Sequence, residues 1–103
     1  MASFTFDYDR KTDYLEVTSS NYEEQEYRES VNMGEISVNI SHQNKIMSIE
    51  VMNASQIFNL PPEELERLDT ASIGLEHRGD YIAVHVSVSY KEKESTYGIQ
   101  VDA

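Results

Sequence analysis

Apolar and polar residues alternate one by one along most of this chain, the mark of strands with one buried face. Phe4, Phe6 and Tyr8 alternate with Thr5, Asp7 and Asp9. After a polar turn at Arg10-Lys11-Thr12, Leu15 and Val17 alternate with Tyr14, Glu16 and Thr18, so the first two runs form a hairpin. Residues 19–30 are polar and acidic, with no apolar face beyond Tyr22 and Tyr27. They read as a loop with room for a short edge strand. Gly34 punctuates the chain before a strand carrying Ile36, Val38 and Ile40. A tight turn falls near Gln43-Asn44, where asparagine tolerates positive φ. Beyond it, Met47, Ile49 and Val51 take one face of a strand, and Ile46 and Met52 the other. A strand apolar on both faces belongs in the middle of a sheet, or under a helix or a second subunit.

The period then changes. Pro61-Pro62-Glu63-Glu64-Leu65 opens a short helix, with proline and acids where the first turn favours them. Leu65 and Leu68 share one face, and Ile57, Phe58 and Leu60 lead in. Strands return with Ala71, Ile73 and Leu75, then a turn at His77-Arg78-Gly79-Asp80. Ile82, Val84, Val86 and Val88 alternate strictly, and Tyr97, Ile99 and Val101 finish the pattern. Asp80-Tyr81-Ile82-Ala83-Val84 echoes Asp13-Tyr14-Leu15-Glu16-Val17, either a duplication or the ordinary look of a hairpin. Together the elements predict a single α+β domain over residues 1–103. Its antiparallel sheet of about seven strands is a meander of hairpins in the order ββββαβββ, with one short helix packed on one face. The pattern leaves open whether that sheet stays open or curls around the helix.

Composition narrows the function classes. The net charge is −11, from 19 acids against 8 bases, and Arg10-Lys11 is the only adjacent basic pair. Such a surface repels phosphate backbones and anionic membranes and attracts cations or basic proteins. Acidity also serves solubility alone. The absence of cysteine excludes disulfides and thiolate metal sites and fits a reducing compartment. The opening Met-Ala-Ser-Phe-Thr-Phe has neither the basic region nor the apolar run of a signal peptide. A cytoplasmic protein is expected.

Candidate chemistry is sparse. Asp7, Asp9 and Asp13 have the spacing of a calcium loop, but Arg10 and Lys11 lie between them and Thr12 stands where such loops need glycine. His77, Asp80 and His85 form a weak polar cluster, with His77 expected opposite residue 82 and both histidines on the solvated face. Asp80, His85 and Ser87 supply the residue types of a nucleophilic triad without its geometry, and no glycine-rich phosphate loop is present. The paired glutamates Glu23-Glu24 and Glu63-Glu64 fall on polar segments. No catalytic residue, metal or cofactor is expected. Tyr14 and Tyr81 take equivalent hairpin positions opposite the main apolar set, and with Ile46 and Met52 they are candidate interface residues.

Phe6-Asp7-Tyr8-Asp9, Asp13-Tyr14-Leu15-Glu16-Val17, Glu29-Ser30, Gly34-Glu35-Ile36-Ser37-Val38 and Ile49-Glu50-Val51-Met52-Asn53-Ala54-Ser55 resemble domain of unknown function 2283, a family of small archaeal and bacterial proteins. The resemblance covers about residues 4–56, so residues 60–103 are expected to be an extension. His42-Gln43-Asn44-Lys45 departs from the acidic, glycine-containing turn usual in the family. The resemblance implies no assigned chemistry; for some members it implies partnership with small toxin-like proteins. Physically, Asn53 and Ser55 sit where a strand ends, and their side chains can fix that exit by bonding nearby backbone.

The expected function is a non-catalytic protein-interaction module, a homodimer or the acidic partner of a basic protein. A small-ligand or cation-binding domain is the alternative, and an enzyme using His77, Asp80 and His85 stands third.

Overall fold

A computed structural model describes residues 4–20 and 26–102, with side chains described as far as residue 100. Among the described residues, eight strands and two short helices follow in chain order: β1 (Phe4–Asp9), β2 (Tyr14–Ser19), β3 (Tyr27–Met33), β4 (Ile36–Ser41), β5 (Ile46–Val51), α1 (Ala54–Phe58), α2 (Pro62–Leu65), β6 (Thr70–Arg78), β7 (Tyr81–Tyr90) and β8 (Lys93–Asp102). The class is α+β and every strand pairing is antiparallel.

The strands make two sheets rather than one of seven: β1-β2-β5-β4-β3 and β6-β7-β8. Alternation determines which face of a strand is buried but not which strand lies beside it, so the split was not visible in the pattern. Part of the segment read as a loop is strand β3, exposed along nearly all its length. It pairs with β4 at the sheet edge, where backbone bonds suffice without an apolar face. The Glu23-Glu24 pair lies outside the described residues.

Helix forms in two pieces rather than one. Asn59 adopts the left-handed conformation and ends α1, and the prolines at 61 and 62 restart the chain as α2. Its acids Glu63 and Glu64 occupy the first turn. None of the described helices is long and apolar enough to cross a membrane.

The inner faces close on one core. Leu15, Val17, Ile36, Val38, Ile49 and Val51 of the larger sheet join Val84, Val86 and Val88 of the smaller one. Phe58, Leu60, Leu65 and Leu68 come from the helical stretch between the sheets. That stretch is held from both sides: Arg10 bonds Glu66 at 2.9 Å, and Lys93 bonds Glu64 at 3.0 Å. The Phe58 carbonyl accepts a bond from the Ser95 hydroxyl.

Ile46 faces this core rather than the opposite surface. A register shift between Asn39 and Ile40 sets Ile40 opposite Ile46, and both pack against the buried cluster. The bulge adds one residue to β5, Met47, which is left without a partner on β4, and so shifts the alternation at this end of the strand and turns Ile46 inward.

Candidate functional site

The residues that carry the family resemblance converge on one junction. Asp13, in the left-handed conformation at the end of the β1–β2 turn, reaches the start of α1. Its carboxylate accepts the Ser55 backbone N–H at 3.0 Å, the Ser55 hydroxyl at 2.6 Å and the Tyr8 hydroxyl at 2.6 Å. Its carbonyl accepts the Ala54 N–H. Burial by itself raises the Asp13 pKa, but the bonds from Ser55 and Tyr8 outweigh it and hold the carboxyl below the ordinary range. The Tyr8 phenol is pushed upward by burial and then by its bond to Asp13. Asn53 donates to the Glu35 carboxylate at 2.7 Å. Asn53 and Ser55 thus fix the strand exit, but through carboxylates on two other turns instead of local backbone. This junction is structural.

The outer face of the larger sheet carries an unbroken acidic row. Asp7 pairs with Glu16, Glu16 with Glu50, and Glu50 with Ser37. Burial, then the charges of Glu50 and Asp7, push the Glu16 pKa up. Tyr14 lies on this face, and burial followed by its bond to Glu50 raises its phenol. A tyrosine bonded in this way is partly committed within the chain. Met52, just beyond β5, is 56% exposed.

The polar cluster does not assemble. His77 pairs with Ile82 as expected, but it belongs to the inward series Ala71, Ile73, Leu75, while His85 is on the outer face between Gly74 and Gly98. Both histidines cannot share a face because their positions have the same parity on strands paired at odd sums. Asp80 sits in the turn and Tyr81 just after it. The Ser87 hydroxyl is bonded to that of Thr96 at 3.0 Å, and not to a histidine or carboxylate among the described residues. In the loop with calcium-like spacing, Asp9 accepts the Lys11 N–H and Asp13 is taken by Ser55. Among the described residues no three histidine or carboxylate side chains converge as metal ligands.

Two features went unread in the sequence. The first is the outer edge of β8, which pairs with no other strand among the described residues. The two-residue turn Lys91-Glu92, with φ 54 at Lys91, sets Tyr90 opposite Lys93. A pair flanking such a turn exchanges both hydrogen bonds, and bonding then alternates. The N–H and C=O groups of Glu94, Thr96, Gly98 and Gln100 therefore point away from β7. The other edges are guarded: β1 by Asp7 and Asp9, β3 by Arg28, Glu29 and a register shift, and β6 by contact with β1 and β2. Residues 95–101 carry no charge, proline or register shift, so beyond its contact with α1 at Ser95 β8 lacks the usual devices that block strand addition. The uncharged run in so acidic a chain was the available signal.

The second is a cleft of about 480 Å³ between the sheets. Val38, Ile40 and Ile46 form one wall and Leu75, Ile82 and Val84 the other, with Arg28, Glu29, Lys45 and His77 also lining it. Strands from both halves of the chain build it, so no local pattern announces it.

Residues 5–55 match the family described as "Protein of unknown function (DUF2283)", and this half of the chain belongs to that family. The chain is also similar to a Methanosarcina mazei protein named "Putative hypoxanthine phosphoribosyltransferase", at 28% identity over 98 residues, covering 95% of this chain and 77% of the relative. That alignment runs well past residue 55, so the second half of this chain is shared with the relative. No solved structure matches.

Proposed function

We propose that this protein is a cytoplasmic, non-catalytic interaction module that self-associates by pairing the open edges of β8 from two copies. The uncharged, unguarded edge carries this reading. A two-fold axis perpendicular to the sheet keeps outer faces outer, so only residues of like parity can meet. Centring it on Tyr97 pairs Thr96 with Gly98 of the second copy and Glu94 with Gln100 of the second copy. No like charges are opposed within these pairs. The half-buried Tyr97 meets its counterpart on the inner face, and the two smaller sheets become one continuous sheet.

The relative's name brings phosphoribosyl transfer into view. Such chemistry calls for a loop of backbone N–H groups around phosphates. Here Gly34 and Gly79 are isolated turn residues, and Gly74 and Gly98 lie within strands, which supports a non-catalytic role. A second reading, the acidic partner of a basic protein, rests on the Asp7–Glu16–Glu50 row; a captured partner released by salt would support it.

The test is light scattering on the purified protein and on Thr96→Pro. That substitution removes an outward N–H and leaves the β7–β8 ladder intact. A dimer that becomes a folded monomer supports the reading. A monomeric native protein, or a dimer indifferent to Thr96→Pro, overturns it.

A further inference from the structure

We infer that the cleft between the two sheets binds a small amphipathic anion, an apolar chain or ring ending in a carboxylate or phosphate. This site is separate from the β8 edge, and neither proposal depends on the other.

The walls supply the first half of the argument. The inner faces of the two sheets meet over most of their area, but beyond Val38 and Val84 they part. Leu75 consequently remains 45% exposed although its strand position points inward. Ile40, Ile46 and Ile82 are only partly buried beside it. The opening lies within the size range of small-molecule pockets, and its apolar lining favours burial of hydrocarbon.

Charge supplies the second half. The chain carries 8 basic residues at a net charge of −11. Most of those bonded elsewhere answer a carboxylate: Arg10 with Glu63 and Glu66, Arg78 with Glu76, Lys93 with Glu64. At the cleft, Arg28 pairs with Glu29 at 3.1 Å. Lys45 has no carboxylate partner among the described residues, which leaves one uncompensated positive charge, with the imidazole of His77 across the opening. A neutral ligand would use the walls and ignore this charge. A cation would meet Lys45 and Arg28. An anionic head uses both features, since Lys45 and Arg28 can donate charge-assisted hydrogen bonds while the apolar body is sheltered.

The experiment titrates the full-length protein with decanoate, decyl phosphate, decanol and decyltrimethylammonium below their micellar concentrations. Amide chemical shifts are the readout. Decanoate or decyl phosphate should bind saturably, perturbing residues 28–31, 44–46 and 75–84, and the stronger of the two identifies the head group. Decanol should bind about tenfold more weakly, as expected for loss of a charge-assisted bond. Lys45→Glu and Leu75→Glu both alter exposed positions that the fold tolerates, and each should weaken the anion about tenfold or more. Equal binding of decanol and decanoate overturns the proposal. So does indifference of folded Lys45→Glu and Leu75→Glu proteins, or a shift pattern lying outside the cleft.

Discussion

Ser55 donates its hydroxyl and its backbone N–H to the two carboxylate oxygens of Asp13, at 2.6 and 3.0 Å, across 42 positions of sequence. The helix that begins here has no side-chain cap of its own, since its N-cap residue Asn53 turns elsewhere. Asp13 caps it from another turn and so ties the first hairpin to the exit of β5. Replacing Asp13 with alanine leaves the Ser55 and Tyr8 groups without their acceptor and should cost about 2–4 kcal/mol. Ser55→Ala should cost about 1–2 kcal/mol, and the double variant less than the sum because the two residues share one interaction. Urea unfolding measures all three.

Asp13 and Glu16 make opposite contributions to the pH dependence. The Asp13 pKa is lowered on folding, so its stabilisation is present above the ordinary aspartate value of 3.8 and is lost as pH falls through the lower folded value. The Glu16 pKa is raised, so the folded state binds its proton more tightly. Stability therefore falls as pH rises from the ordinary glutamate value of 4.5 through the raised one. Glu16→Gln should raise stability at neutral pH by about 0.5–1 kcal/mol by relieving repulsion from Asp7 and Glu50. That gain should shrink toward zero in acid, where wild-type Glu16 is protonated. Midpoints of urea unfolding across pH give both signs.

His85 rests over Gly98, where an added Cβ would lie 3.2 Å from its Nδ1. Alanine suits a strand better than glycine, so Gly98→Ala gains in propensity and loses through this contact. The balance should improve by about 0.5–1 kcal/mol when His85 is also alanine. Thermal unfolding of the four proteins in that cycle reads the coupling; a cycle with no coupling removes the contact as the reason for glycine here.

Phe58 is 2% exposed and its carbonyl holds Ser95, so it joins the helical stretch to β8. Phe58→Ala leaves a cavity between the sheets and should cost about 3–5 kcal/mol. Denaturant unfolding should show this loss with an unchanged slope, since the two sheets share one core.

Much of the local structure was legible in the residues. Asn44 has φ 60 in the turn where asparagine was expected to supply it, and His77 stands opposite Ile82 as the two-residue turn requires. Pro62 opens α2. The polar strand β3 was legible only as room for a short edge strand, for a definite reason: its sheet position is an edge, and side chains exposed on both faces leave no periodicity. Ile46 was assigned to the outer face because strict alternation cannot register a bulge, which shows only when two strands are laid side by side.

By itself the sequence determined the strands with a buried face, most of the turns, the acidic surface and the kinship of its first half. Those properties are set by neighbours a few positions apart and by composition. Tertiary structure alone decided that β2 lies beside β5, that the strands divide between two sheets, and that Asp13 meets Ser55. It also decided that β8 is left as an open edge and that the sheets part around Leu75 and Ile82. Each of these joins residues distant along the chain, and their pairing depends on which combination buries the most apolar surface with every backbone group satisfied, a property of the whole core and of no single segment.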